Sequence, residues 1–288
     1  MKVGLDGTLL PKLACKELPM LVIGEKINGT LKKTAAAVDS RDLAFIQDLA
    51  RRQVEAGADY LDVNAGTAPY REIEDFIWLI DAVQSVVEVP LCLDSANPAA
   101  LKAGMERVKQ TPMVNSISGQ ASRLETILPV VAERGCPVIA LLLDDVGIPA
   151  GVEGRLSIGR RIIKQTRQAG VRDEDVYVDP LAMAVSTNTN GGMIALETMR
   201  TLRAEYPSVR FCIGLSNISF GLPGRSLINQ AFLAQALAAG LDAAIIDPLD
   251  DGLLSVLLTT ELVLGRDPFC RNYTRAYRAG RIKVRGKS

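Results

Sequence analysis

The sequence predicts a single-domain α/β fold, a (β/α)8 TIM barrel, on three observations. Eight short, β-branched-rich apolar runs recur along the chain, each bounded by Pro, Gly, Asp or Asn as strands are. Their starts are separated by roughly 20 to 40 residues, the length of one strand and its crossover helix. The runs are apolar almost throughout rather than alternating, which marks strands buried on both faces of a parallel sheet. The chain has 288 residues, and such barrels typically need about 250.

The first run, "MLVIGEKIN", leads into Glu25, Lys26 and Asn28. "ADYLDVNAG" carries Asp62 and Asn64, and "PLCLDSAN" carries Asp94. "PMVNSISG" brings Asn115, Ser116 and Ser118, and "PVIALLLDD" ends in Asp144 and Asp145. "VYVDPL" carries Asp179, "RFCIGLSNIS" ends in Ser216, Asn217 and Ser219, and "DAAIIDPLD" ends in Asp247 and Asp250. The intervening segments have helical period. "DLAFIQDLARRQVEAG" sets Leu43, Ile46, Leu49, Ala50 and Val54 on one face and stops at Gly57. "PAALKAGMERV" opens on Pro98, where a first helical turn accepts proline. "REIEDFIWLIDAVQSV", "RLETILPVVAERG", "RLSIGRRIIKQTRQAG", "ALETMRTLRAEYP" and "INQAFLAQALAAG" behave alike, several ending in Gly as helix C-termini do.

Each strand therefore ends in polar residues where a bland turn would serve. In an open doubly wound sheet, the competing architecture, ligand residues gather at one switch point. Polar tails on every strand instead converge on one mouth of a closed barrel. The expected layout is an N-terminal segment (1–19) at the barrel bottom, the barrel over 20–265, and a C-terminal extension over 266–288. The basic stretch "RNYTRAYRAGRIKVRGKS" reads as a solvated or frayed end.

Composition excludes several functions. Lys+Arg and Asp+Glu are 33 each, so no net field recruits nucleic acid or an anionic membrane. No apolar run reaches the ~18–20 residues that span a bilayer. The opening "MKVGLDGTLLPKLACKELPM" lacks an apolar signal core, so the protein is read as cytoplasmic. The five cysteines are scattered, without a CxxC, and Cys92 and Cys212 lie in buried runs. Histidine is absent. That removes histidine general bases, a Ser-His-Asp triad and histidine-ligated metals. Acid–base work falls to carboxylates, Lys, Tyr, Cys or oriented amides.

The mouth inventory is Asp62, Asn64, Asp94, Asn115, Asp179, Ser216 and Asn217, with Arg225 on the loop "ISFGLPGRSLIN". Carboxylates and amides in a dry pocket suit an amidine-like edge such as the 2-amino-4-oxo pyrimidine of a pterin or guanine. A hard cation on the same carboxylates is the alternative. No GxGxxG or Walker motif is present to clamp a phosphate.

The motifs "VIGEKING", "LDVNAG", "LCLDS", "VNSIS", "GIP", "YVDPL", "GLSNIS" and "GRSLINQAFLAQALAAGLDAAIIDP" fall in order from about Met20 to Leu264. In them the chain resembles the pterin-binding methyltransferases that pair methyltetrahydrofolate with a corrinoid protein. The folate-binding module of cobalamin-dependent methionine synthase is a near relation and dihydropteroate synthase a distant one. The resemblance implies that Asp94, Asn115 and Asp179 hold the pterin by its 2-amino and N3 edge, and that Asn217 lies beside N5. It places Ser216 and Arg225 at the same site and matches Asn64 and Asn28 to secondary positions. It further implies a corrinoid (cobalamin) supplied by a separate protein, no bound metal, and a homodimer, for which "FLAQALAAG" offers an apolar helix face. Asp144-Asp145 departs from the neutral or basic pair of that family and bears on the partner rather than the chemistry. Two other readings stay open: a dihydropteroate synthase-like enzyme, and a non-catalytic pterin-binding subunit. The first would carry Arg-x-His near the last strand, where this chain has "IIDPLDDG". Neither the direction of methyl transfer nor the upstream donor is written in the residues.

Overall fold

The computed structural model describes residues 19–282. Eight parallel strands close into a ring in sequence order, β1 (Leu21–Asn28) pairing with both β2 (Tyr60–Asn64) and β8 (Ala243–Ile246). Between them stand β3 (Leu91–Asp94), β4 (Met113–Ser118), β5 (Val138–Leu141), β6 (Val176–Asp179) and β7 (Arg210–Gly214). Parallel neighbours cannot share a hairpin, so each connection passes through helix on the outside of the ring. These helices are α1 (Lys32–Ser40), α2 (Leu43–Glu55), α3 (Glu72–Gln84), α4 (Pro98–Arg107), α5 (Ala121–Thr126), α6 (Leu128–Arg134), α7 (Val152–Gln168), α8 (Gly191–Glu205), α9 (Arg225–Ala238) and α10 (Asp251–Val263). The eight-stranded barrel is the fold the sequence predicts.

Two apolar regions hold it together. The larger lies between sheet and helices. The smaller fills the barrel itself with Ile23, Cys92, Met113, Ile139, Tyr177, Cys212 and Ala243. Side chains alternate along a strand, so the residue two places beyond each of these also points inward, one layer higher. That step carries Cys92 to Asp94, Met113 to Asn115 and Tyr177 to Asp179. The polar strand ends therefore face the mouth because the register places them above the barrel core.

Particular elements differ from expectation. On α2, Leu43 is 45% exposed, and Gln53 takes a fully buried place on the inner face. "RLETILPVVAERG" divides into α5 and α6 at Ile127, with Pro129 in the first turn of α6. β5 stops at Leu141, short of the apolar run that contains it, and Asp144 and Gly147 form a separate two-residue bridge. Helices α1 and α10 were not singled out by period. The basic tail is folded where described: α11 (Arg271–Arg278) buries Ala276, and the Asp267 carboxylate accepts from Asn272 N and Tyr273 N, both at 2.9 Å. Residues 1–18 and 283–288, on which most of the N-terminal segment and the last of the extension fall, lie outside the described residues.

Candidate active site

Two β-bulges shape the mouth. In β1, Gly24 pairs with Leu61 and Ile27 with Val63, so Glu25 and Lys26 together oppose Asp62. In β4, Asn115 pairs with Ile139 and Ile117 with Ala140, which makes Ser116 the extra residue; the Asn115–Ser116 peptide is cis. A bulge re-aims side chains and frees backbone groups from the ladder. Side chains satisfy them here, one buried and one half-buried. Gln53 Oε1 accepts from Lys26 N at 3.0 Å, and Arg123 Nη2 donates to Ser116 O at 2.6 Å.

Asp62, Asn64, Asp94 and Asn115 form one cluster. Asn64 Nδ2 donates to Asp94 Oδ2 at 2.8 Å, and Asn115 Nδ2 donates to Asp62 Oδ1 at 3.2 Å. With their nitrogens committed to carboxylates, both amides turn their oxygens elsewhere. Burial raises the Asp62 carboxyl well above its usual value, with the Asp94 charge adding to it, against hydrogen bonds from Asn115 and Cys92. Asp94 is also raised, by burial first, and is opposed by its Asn64 hydrogen bond and the Arg123 charge. Of the two carboxyls, Asp62 is the more strongly raised.

Across the barrel, Asp179 is 6% exposed. Its Oδ1 accepts from Leu181 N at 2.7 Å, and Gly214 N–H also donates to the carboxylate. Leu181 adopts a left-handed conformation with φ 59°, a strained state for this residue. Burial lifts the Asp179 carboxyl to about 6, against the two backbone donors and Arg155.

Asn217 lies in a short 3-10 turn, Leu215–Ser219, that follows β7. Its side chain is exposed, and its Nδ2 lies over Gly214, where an added Cβ would meet it at 3.0 Å. Among the described residues its amide has no hydrogen-bond partner. Gly214 thus links Asn217 to Asp179, which accepts from the same residue's N–H. Arg225 holds the turn from outside, donating to Ser216 O at 2.7 Å and Ser219 Oγ at 3.0 Å. Ser216 Oγ donates to Glu25 Oε2 at 3.2 Å. Asn28 accepts from Thr30 N and Thr30 Oγ1, so it shapes the loop after β1.

Several groups at the mouth were given no role from sequence. Glu25 is raised chiefly by burial, opposed by the Ser216 hydrogen bond. Lys26 pairs with Asp247 at 2.9 Å. Glu72 Oε2 accepts from Asn97 Nδ2 at 3.1 Å, beside Asp94. Inward alternation from Ile23 and Ile245 signals Glu25 and Asp247; nothing in the local pattern signals Arg123 or Arg155. Asp144 and Asp145 prove to be loop-builders. Asp144 Oδ1 accepts from Val146 N at 3.0 Å and Oδ2 pairs with Arg161 at 3.1 Å, while Asp145 Oδ2 accepts from Ala121 N at 3.3 Å. Among the described residues no group of three or more His, Cys, Asp or Glu side chains is placed to hold a metal ion.

The arrangement can grip a flat heterocycle that offers N–H donors and leave an unpaired amide beside it. The family model described as pterin binding enzyme matches residues 24–247. The chain is 38% identical over 265 residues to a methylcorrinoid:tetrahydrofolate methyltransferase of Eubacterium limosum, covering 91% of this chain and 98% of that one. It is 31% identical over 244 residues to methionine synthase of Mycobacterium tuberculosis (strain ATCC 25618 / H37Rv), covering 80% of this chain and 20% of that one. In three dimensions it is similar to dihydropteroate synthase from Stenotrophomonas maltophilia, with a TM-score of 0.66 at 20% identity over 86% of this chain and 94% of that one. That last likeness shows the fold alone.

Proposed function

The chain belongs to the pterin-binding enzyme family, and from that premise we propose that it moves a methyl group between N5 of tetrahydrofolate and the cobalt of a corrinoid carried on a separate protein. The observation that carries this reading is the likeness to a methylcorrinoid:tetrahydrofolate methyltransferase across nearly the whole of both chains. The mouth chemistry fits it. Asp94, Asn115 and Asp179 are assigned to the pterin's 2-amino and N3 edge, with Asn64 orienting Asp94. Ser216 and Arg225 set the Asn217 turn, and Asn28 shapes the neighbouring loop.

The relative's name writes the transfer from methylcorrinoid to tetrahydrofolate, and we extend that direction to this chain. The N5 lone pair attacks the methyl carbon, and the Co–C bond breaks with its electron pair left on cobalt, giving cob(I)alamin. N5 becomes cationic and then releases its proton to water. The Asn217 amide oxygen accepts from N5–H, and that hydrogen bond strengthens as positive charge develops. Such an interaction lowers the barrier rather than merely binding substrate. In reverse, the same amide favours the protonated N5 from which cobalt(I) takes the methyl group.

The corrinoid must reach the mouth from outside. Loops on that face expose Tyr70 (89%), Val146 (98%) and Phe220 (67%), a rim to which we assign the corrinoid protein. For a homodimer, the face offered is the apolar groove of about 410 Å³ between α8 and α9, lined by Met193, Leu196, Leu227, Ala231 and Phe232. Among the described residues no helix is long and apolar enough to cross a membrane; we read the chain as cytoplasmic. With no metal held by the mouth carboxylates, activity should persist in excess chelator; its loss, restored by adding metal, contradicts their assignment to the pterin. The direct test mixes the protein with methylcob(III)alamin and tetrahydrofolate. Absorbance of cob(I)alamin should appear only when both are present, and a binding-only subunit or a dihydropteroate synthase would leave the cobalt spectrum unchanged.

A further inference from the structure

Two arginines outside the pterin motifs share one geometry. Arg123, on α5, donates through Nη1 to Ala96 O at 2.7 Å and through Nη2 to Ser95 O at 3.1 Å and Ser116 O at 2.6 Å. These carbonyls belong to the residues immediately after Asp94 and Asn115. Arg155, on α7, donates through Nη1 to Pro180 O at 2.5 Å and Leu181 O at 2.8 Å, and through Nε to Pro149 O at 3.2 Å. Those carbonyls include the two residues immediately after Asp179. Arg155 is 0% exposed and its Nη2 has no hydrogen-bond partner among the described residues. Burying a guanidinium against carbonyls alone is costly. A planar fork of donors is what spans several carbonyls at once, which a lysine cannot do.

We propose that Arg123 and Arg155 are positioning residues of the pterin site, Arg123 serving Asp94 and Asn115 and Arg155 serving Asp179. The proposal rests on the pterin-binding reading above. Each arginine acts twice. Mechanically, it fixes the carbonyls that follow the reading residue: Arg123 ties the β4 bulge to the β3 loop, and Arg155 holds the left-handed Leu181 whose N–H caps Asp179. Electrostatically, each is the cation that opposes protonation of its carboxylate. The surroundings differ otherwise. Asp94 faces Asp62 and Asn64 on β2, Glu72 on α3 and Arg123 on α5. Asp179 faces Cys212 on β7, Arg155 on α7 and the N–H groups of Leu181 and Gly214. Neither arginine donates to residues 215–220, and the Asn217 turn has its own brace in Arg225.

The test measures tetrahydrofolate affinity against pH, and methyl transfer from methylcob(III)alamin at saturating pterin, for Arg123→Met and Arg155→Met with Lys variants at both positions. The Met variants should bind about 10- to 100-fold more weakly near neutral pH, with saturated rates within about threefold of wild type. Their affinity should fail at a higher pH than wild type on acidification, because removing the cation makes the carboxylate easier to protonate. The Lys variants should bind more weakly yet keep the wild-type acid limb. Folded Met variants with wild-type affinity, or with weakened affinity and an unmoved acid limb, overturn the proposal. Should the Met variants fail to fold, the Lys variants decide: weaker binding with the wild-type acid limb supports the role, and wild-type affinity overturns it. Wild-type protein that binds no tetrahydrofolate would sink the functional reading itself.

Discussion

At Asp179 the role proposed in pterin binding comes with a stability cost to the free protein. The carboxyl is held at about 6 in the folded chain, against roughly 3.9 for an unfolded aspartate. A raised carboxyl favours the folded state fully below the unfolded value, and that advantage is lost as pH rises through about 6. Above that pH, ionised Asp179 destabilises the free protein by on the order of 3 kcal/mol at most. Asp179→Asn should therefore raise unliganded stability by about 1–3 kcal/mol at pH 8 in urea unfolding, with little difference near pH 4. The same substitution should weaken tetrahydrofolate binding about 10- to 100-fold, since an amide must present a donor to the pterin's donors. Loss of stability at pH 8, or unchanged affinity, contradicts this account of the residue. Asp94, Asn115, Asp179 and Asn217 were legible in sequence because each closes an apolar run. Arg123 and Arg155 were not, because their partners are carbonyls on loops distant in sequence, and a carbonyl leaves no trace in residue identity.

Elements set these residues by exceptions to regular pairing. The two bulges place Glu25 and Ser116, and neither bulge shows in the apolar pattern, which records burial and not register. Eight strands and most helices were legible because burial on both faces writes a continuous apolar run and one-sided burial writes a helical period. The split at Ile127 and the buried Gln53 escaped that code. Gln53 is polar, yet it satisfies the backbone freed by the β1 bulge. The loops after β1 and β2 are pressed together at Gly29 and Gly66: a Cβ on Gly29 would lie 1.8 Å from Ala65 O, and Gly29 N donates to Asn64 O at 2.8 Å. Gly29→Ala must then part the loops that follow Asn28 and Asn64. It should destabilise the protein by roughly 1–3 kcal/mol and weaken pterin binding with it. Thermal unfolding and a tetrahydrofolate titration check both effects, and wild-type values in the two would show the contact to be yielding.

For the whole molecule, the proposed function asks one end of the barrel both to do the chemistry and to admit a protein. The turn at Asp144–Gly147 is closed by reciprocal backbone hydrogen bonds of 3.1 and 2.9 Å and braced by Arg161. It holds Val146 98% exposed at the rim. Val146→Glu should therefore slow transfer from a protein-bound corrinoid by raising its KM, while free methylcob(III)alamin reacts at the wild-type rate. An equal loss with both donors would make the turn part of the site and not of the partner surface. Asn217 tests the account's central claim most directly: that this mouth transfers methyl at N5 through an amide acting on developing charge. The measurement is single-turnover transfer between methylcob(III)alamin and saturating tetrahydrofolate, followed at the cobalt absorbance, for wild type and Asn217→Ala, with pterin affinity determined separately. The account predicts a rate lowered by about 10²–10³ with affinity changed only a few-fold. Transfer by Asn217→Ala at the wild-type rate would contradict it.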